Sequence, residues 1–170
     1  MRPIAALALA LAGAGCGYHV AGRGNTLPKA VKTIAVPAFG NVTTSYRLAE
    51  RLPADLTREF IERTRYRVVA DPNQADAILS GALVNVNSFP TVFDPVSSRA
   101  TGVQVNAIVQ ITLTDRVTGA VLFTRPSMEV RERYEISVDP KAYFDENETA
   151  VMRLSRDVAR SVVSAILEGF

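Results

Sequence analysis

The feature that most constrains the fold is a regular alternation of side chains from residue 103 to residue 114. Apolar side chains occupy every second position, and this period of two is typical of a β-strand with one buried face. Such a strand pairs with neighbours and buries its apolar face beneath another layer. The expected buried set is Val103, Val105, Ala107, Val109, Ile111 and Leu113, and the mostly polar set is Gln104, Asn106, Ile108, Gln110, Thr112 and Thr114.

Two further strands flank this one and predict an antiparallel meander. Residues 77–89 mix apolar and small side chains, and residues 120–136 form another long strand. Pro126 places part of the latter at a sheet edge or in a bulge, because proline cannot donate to a neighbouring strand. The sequence RVTG at 116–119 predicts a hairpin turn, with glycine where positive φ is needed.

The N-terminal half predicts a parallel crossover. Residues 32–39, KTIAVPAF, and 66–70, YRVVA, are short apolar runs typical of buried strands. Between them, apolar side chains recur at helical spacing from Tyr46 to Arg65, and Pro53 either starts or kinks that helix. A strand, a helix and a strand within about 40 residues favour a right-handed parallel connection.

A second amphipathic helix is predicted at the C-terminal end. Residues 139–147 read as a loop, Asp145 and Glu148 resemble a capping box, and an apolar stripe then runs to Ile166. Each helix carries one apolar stripe and must bury it on the sheet. The predicted fold is therefore α+β, a single mixed β-sheet with a long antiparallel meander and two helices packed on one face.

The first twenty residues have the layout of an export signal. Arg2 precedes a short apolar run, small residues follow, and the only cysteine is Cys16. The run is shorter than the roughly 20 residues of a bilayer-spanning helix. A cysteine directly after small residues marks a lipoprotein signal, in which Cys16 carries the acyl chains that anchor the protein. The alternative is an ordinary signal peptide with an incidental cysteine, since position 13 is Gly where such signals usually have Leu.

These segments divide the chain into a signal peptide at 1–15, a lipid anchor and tether at 16–31, and one α/β domain at 32–170. Removal of 15 residues from 170 leaves 155, which suits one domain with one core. Without Arg2, the basic residues number 18 and the acidic ones 17. A balanced surface has no global field for gripping nucleic acid, so no nucleic-acid partner is expected.

The sequence is poor in residues for catalysis. The only histidine is His19, close to Cys16, and neither has a metal-ligand spacing. The sequence contains no glycine-rich phosphate loop and no base that would complete a serine triad. We therefore expect no enzyme activity, no catalytic residue, no metal and no cofactor.

Several stretches resemble the LptE family of outer-membrane lipoproteins, which act in lipopolysaccharide assembly. They are CGYHV at 16–20, LPKAVKTIAVPAFGN at 27–41, LTREFIERTRYRVV at 56–69 and ADAILSGALV at 75–84. The resemblance covers essentially the whole chain. Similar strings occur in CsgG-like secretion lipoproteins and in LpoB-type activators of cell-wall synthases, and these form the alternative class.

The resemblance implies a non-enzymatic role. Proteins of this family plug the LptD β-barrel, stabilise it, and help lipopolysaccharide to reach the outer leaflet. The implied location is the outer membrane, with acyl chains on Cys16 and the domain facing the periplasm and the barrel lumen. Gly17 agrees with this location, because an aspartate there would favour retention in the inner membrane.

Cations and aromatic residues gather at one predicted end of the sheet. In an up-down-up meander, loops 89–102 and 137–144 lie at the same end. Convergent cations bind the phosphates of lipid A, and arginine does so with paired hydrogen bonds; the alternative is a solvated loop tip. The expected lipopolysaccharide-binding residues are Arg99, Lys141, Arg131 and Arg133, and the expected partner contacts are Phe89, Phe93, Tyr143 and Phe144.

Overall fold

A mixed sheet of six strands and two helices make up the described chain. The computed structural model describes residues 27–96, 98–135 and 140–169, and for 140–147 it gives only the course of the backbone. The elements are β1 (Thr33–Ala35), β2 (Gly40–Asn41), α1 (Tyr46–Arg63), β3 (Arg67–Val69), a 3-10 turn (Pro72–Gln74), β4 (Ala77–Phe93), β5 (Ala100–Asp115), β6 (Val121–Glu135) and α2 (Pro140–Glu168).

The strand order is β3-β1-β4-β5-β6, and β2 pairs with β4 next to β1. The first strand pairs in parallel with β3 and with β4, which confirms the predicted parallel crossover. Strands β4, β5 and β6 form the predicted antiparallel meander. We call the end with the β5–β6 turn at 116–120 the proximal end, and the end with the β4–β5 turn at 94–99 the distal end.

One face of β5 is buried, as its alternation predicts. The side chains of Ala107, Val109, Ile111 and Leu113 are fully buried, whereas Gln110 is exposed on the other face. The buried set joins side chains of both helices in one cluster, so both helices lie on the same face of the sheet. The helices contribute Leu48, Leu52, Leu56 and Phe60 from α1, and Leu154, Val158, Val162 and Ile166 from α2. We call this side the helix face, and the other side of β4–β6 the open face.

A buried polar contact joins the two helices. The Ser155 hydroxyl donates to Oδ2 of Asp55 at 2.6 Å, and both side chains are buried. Arg51 and Arg58 approach the same carboxylate at 3.1 and 3.5 Å, which pairs its charge as burial requires. Near the proximal end, Arg63 of α1 donates to the hydroxyl of Ser164 in α2 at 2.8 Å. The helices therefore run side by side, and both end near the proximal end.

The β4–β5 hairpin is longer than predicted. Strand β4 extends to Phe93 and β5 begins at Ala100, so part of the predicted loop 89–102 belongs to the sheet. Pro90 is tolerated because the other edge of β4 has no partner strand at this height within the described residues, and the register shifts just beyond it.

Helix α2 begins earlier than predicted. It starts at Pro140, so the prediction of a loop at 139–147 is wrong, and Asp145 lies inside the helix. Proline suits a first helical turn because the N–H groups of that turn have no intrahelical partners. Glu148 pairs with Arg47 of α1 at 3.2 Å, instead of completing a capping box with Asp145.

The β5–β6 hairpin carries the two special features predicted for it. Gly119 has a φ of 71°, in the left-handed region that favours glycine. The register between β5 and β6 shifts around Pro126, since Val109 pairs with Met128 and Ile111 with Arg125. One additional β6 residue is therefore accommodated as a bulge on the edge strand.

We predict that Val109→Asp and Gln110→Asp differ sharply in stability. Val109→Asp places an unpaired charge in the core and should lower the free energy of unfolding by about 3–5 kcal/mol. Gln110→Asp lies on the open face and should change it by less than about 0.5 kcal/mol. Urea unfolding of both variants measures the difference, and equal losses would contradict the strand register.

Candidate functional surfaces at the distal end

The distal turn between β4 and β5 is held by Asp94. Its N–H donates to the carbonyl oxygen of Arg99 and its carbonyl oxygen accepts from the N–H of Ser98, both at 2.9 Å. Its carboxylate Oδ1 accepts from the N–H of Val96 at 3.1 Å. Ser98 has a φ of 55°, which non-glycine residues rarely adopt. The turn is therefore fixed by its own backbone and by one side chain.

Apolar side chains are concentrated at this turn and on the strand leading to it. Val96 is 92% exposed at the apex, and Phe93 is 57% exposed at the end of β4. Phe89 and Val92 are also exposed, and Phe89 pairs across the hairpin with Gln104 of the open face. The prediction that Phe89 and Phe93 lie in a loop is wrong, but both are accessible to a partner.

Arg99 lies beside the apolar tip, at the point where the turn leads into β5. Its side chain is exposed, and it forms no ion pair with any residue that the structure describes. An unpaired guanidinium next to exposed apolar side chains can bind an anionic group that has an apolar portion.

Arg131 and Arg133 lie in a hydrogen-bonded row on the open face. Arg131 pairs with the Glu129 carboxylate at 2.8 Å, and this bond holds the pKa of Glu129 below its usual value. Asn106 donates to Glu129 at 3.1 Å and accepts from Gln104 at 2.9 Å. Arg133 donates to Gln104 at 3.4 Å. The charge of Arg131 is therefore balanced within the row, and Arg133 is bound to a neutral amide.

The open face is polar along the length of β5. The strand pairing brings polar residues of β4 and β6 beside the predicted polar set, and Thr112 and Thr124 lie within hydrogen-bond distance at 3.2 Å. Sequence reasoning found the β5 residues through their alternation and named Arg131 and Arg133 for another reason, as expected lipopolysaccharide-binding cations. It did not find the other polar neighbours on β4 and β6, which are Ser80, Asn85, Asn87, Thr124 and Glu129.

Four of the predicted site residues cannot be placed. The side chains of Lys141, Tyr143 and Phe144 lie outside the described residues, although their backbone belongs to α2. Cys16 also lies outside them. The structure therefore brings Arg99, Phe89 and Phe93 together at the distal end and leaves the contribution of these four as predictions.

A cavity of about 480 Å³ opens on the helix face behind the distal tip. The start of α1, the middle of α2 and the three long strands all contribute to its wall, which explains why no local pattern predicted it. Glu132 lies in the wall, and burial, together with the charge of Asp157, raises the pKa of its carboxyl. The apolar part of the wall consists of Leu48, Val86, Val105, Ala150, Val151 and Leu154.

Two kinds of feature were not found among the described residues. Neither helix combines the length and the apolar character needed to cross a bilayer. No group of three or more His, Cys, Asp or Glu side chains in the described ranges is placed to hold a metal ion.

A family model for LptE, lipopolysaccharide-assembly, matches residues 31–166, which is most of the chain. The chain belongs to the LptE family. No match was found among the curated proteins.

Solved structures share the fold of this LptE-family protein at low sequence identity. An uncharacterized lipoprotein B from Nitrosomonas europaea is 17% identical over 84% of this chain and 88% of its own, with a TM-score of 0.55. The PelC dodecamer from Paraburkholderia phytofirmans is 15% identical over 84% and 93%, with a TM-score of 0.52. A protein from Chlamydia trachomatis is 12% identical over 83% and 100%, with a TM-score of 0.52.

We predict that Asp94 orders the distal turn of this LptE-family protein without contributing to global stability. Asp94→Ala removes the acceptor for the N–H of Val96 and should speed amide exchange at Val96 and Ser98, while the melting temperature stays within about 2 °C. Exchange measured by NMR tests this, with Thr91→Ala as the control. Unchanged exchange at both amides would show that the backbone alone fixes the turn.

Proposed function

We propose that this protein is an outer-membrane lipoprotein, anchored through acyl chains on Cys16, that plugs and stabilises an LptD-like β-barrel and assists lipopolysaccharide assembly. The match of the LptE family model to residues 31–166 carries the proposal. The role is non-enzymatic, and the domain faces the periplasm and the barrel lumen.

The open face supports the plug role on physical grounds. A barrel lumen is polar and wet, so a protein that fills it needs a folded core and a polar exterior. The helix face carries the core, and the open face presents amides, hydroxyls and the paired Arg131 and Glu129. This division lets the domain dock by its open face without exposing apolar core residues.

The described chain begins at the end of the domain opposite the distal tip. The described chain enters the domain at the proximal end, where Leu27 is buried in the core and Val31 leads into β1. Strand β4 has 17 residues and, at about 3.3 Å per residue, runs roughly 50 Å toward the distal end. With the anchor on Cys16, the tip is the end of the hairpin away from it, and in this proposal the tip is the part of the domain that meets lipopolysaccharide inside the barrel.

The distal tip has the chemistry for lipopolysaccharide contact. Arg99 offers an unpaired guanidinium for a lipid A phosphate, and Phe89 and Phe93 offer exposed apolar surface beside it. In this proposal Lys141, at the start of α2, supplies the second cation, with Tyr143 and Phe144 close by in the sequence. Arg131 and Arg133 are secondary contributors, because both are already hydrogen-bonded on the open face.

We predict that Cys16→Ser abolishes membrane anchoring. Serine lacks the thiol that is acylated, so labelling with radioactive palmitate should fall to background and the protein should stay unprocessed or appear in the soluble fraction. The control is Ser45→Ala, in a hydroxyl residue of the domain. Undiminished labelling of the Cys16 variant would contradict the lipoprotein assignment.

We predict that loss of this protein leads to loss of the assembled LptD-like barrel. Depleted cells should become permeable to large antibiotics as the barrel disappears. An intact barrel accompanied by a cell-wall synthesis defect would contradict the plug role and favour the synthase-activator class.

A point variant tests which face contacts the barrel. Gln110→Trp on the open face should reduce co-purification of the barrel severalfold, and Arg156→Trp on α2 should not.

We predict that Arg99→Asp combined with Lys141→Asp weakens lipopolysaccharide binding by about tenfold or more, because two charge-assisted contacts are replaced by repulsion. Thermal stability and barrel association should be nearly unchanged. Binding to immobilised lipopolysaccharide measures the effect, and Arg156→Asp serves as the control on α2. Wild-type affinity in the double variant would show that the tip is a solvated loop or a barrel contact.

A further inference from the structure

A cluster of cations lies at the opposite, proximal end of the domain. Lys29, Lys32 and Arg65 surround a depression of about 340 Å³ whose floor includes Val31 and Tyr66. All three cationic side chains are exposed, whereas Val31 and Tyr66 are buried. The cluster is built by two separate segments, one just before β1 and one between α1 and β3.

The local fold brings these cations together. The N–H of Arg67 donates to the carbonyl oxygen of Lys32 at 2.9 Å, which fixes the segment after α1 against the segment before β1. Val31 is held by a hydrogen bond from its N–H to the carbonyl oxygen of Pro28 at 3.0 Å, which orders the turn that carries Lys29. Backbone hydrogen bonds therefore position the three side chains, and no contact among the side chains is needed to bring them together.

Within the described ranges, none of the three cations forms a salt bridge, unlike Arg63 close by, which pairs with Glu59 at 3.1 Å. The nearby Asp76 uses its Oδ2 to accept from the N–H groups of Lys32 and Thr33 and from the Thr33 hydroxyl. The Lys32 charge helps, after these hydrogen bonds, to lower the pKa of Asp76. Lys32 is thus partly balanced, and Lys29 and Arg65 carry uncompensated charge.

The cluster lies where the tether would join the domain. Ten residues lie between Cys16 and Leu27, and the eleven residue-to-residue steps that join them span at most about 40 Å when extended. An anchor on Cys16 would keep this end of the domain within that distance of the membrane surface. The ends of both helices also lie here, and their C-terminal carbonyl groups favour nearby cations. The helix ends therefore make positive charge favourable in this region. They do not by themselves explain why three cations surround a single depression.

We propose that Lys29, Lys32 and Arg65 bind the phosphate headgroups of anionic phospholipids in the membrane leaflet that carries the anchor. This inference rests on the anchor in the proposed function and adds a second attachment to it. Acyl chains alone fix one point and leave the domain free to rotate, whereas a cationic patch beside that point orients the domain. The proximal end then lies at the level of the headgroups of that leaflet, and the distal tip extends from there into the barrel lumen.

The chain offers a direct probe, because its only lysines are Lys29, Lys32 and Lys141. The purified lipidated protein is placed in nanodiscs of phosphatidylcholine alone or with phosphatidylglycerol added, and acetylation of each lysine is followed by mass spectrometry. Lys29 and Lys32 should react about fivefold more slowly in the anionic discs, the factor expected for attraction of one cation to an anionic surface. Lys141 at the other end serves as the internal reference.

Arg65→Gln should restore much of the reactivity of Lys29 and Lys32 in anionic discs, and Arg156→Gln on α2 should not. Equal rates in both kinds of disc, or equal protection of Lys141, would overturn the headgroup site. The same protection by inorganic phosphate in phosphatidylcholine discs would also overturn it, in favour of a site for free anions. Failure of the wild-type chain to enter the discs would instead contradict the anchor, and with it both proposals.

Discussion

The structure depends on the burial of one face of β5 beneath two helices. Every second side chain of that strand from Ala107 to Leu113 is fully excluded from solvent. Each fully buried valine, isoleucine or leucine among them stabilises the fold by about 1.5–3 kcal/mol. Because side chains alternate along a strand, the same register that buries these residues projects the polar set to the open side. The buried core and the polar open face are thus two consequences of one register.

The two helices supply the layer beneath which this face of the sheet is buried. Apolar stripes of α1 and α2 cover the helix face, and the buried contact between Asp55 and Ser155 aligns the two helices. A carboxylate in this position is tolerated because Arg51 and Arg58 pair with it. With the helices confined to one side, the open face remains available, and the hairpin beyond the start of α1 is free to form an extended tip.

Sequence reasoning was most reliable where a pattern is long and local. The period of two in β5, the glycine turn at Gly119 and the edge proline Pro126 each reflect a rule that acts within a few residues, and the structure confirms all three. It failed where strand pairing or helix formation overrides local composition. Phe93 was expected in a loop but belongs to β4, which pairs with β5. Pro140 was also expected in a loop but starts α2. The distal cavity and the proximal cations could not be predicted, because segments distant in sequence build them.

The distribution of charge is more informative than its total. Basic and acidic residues nearly cancel over the chain, yet the pairing is uneven in space. On the open face Arg131 is matched by Glu129, as suits a surface that docks against another protein without strong long-range attraction. At the two ends, Arg99, Lys29 and Arg65 lack matching carboxylates within the described chain, and Lys32 is only partly balanced by Asp76. A hairpin about 50 Å long, with cations at both ends of the domain and a charge-balanced open face, agrees with the proposed contacts to anionic lipid at each end and to a barrel wall between them.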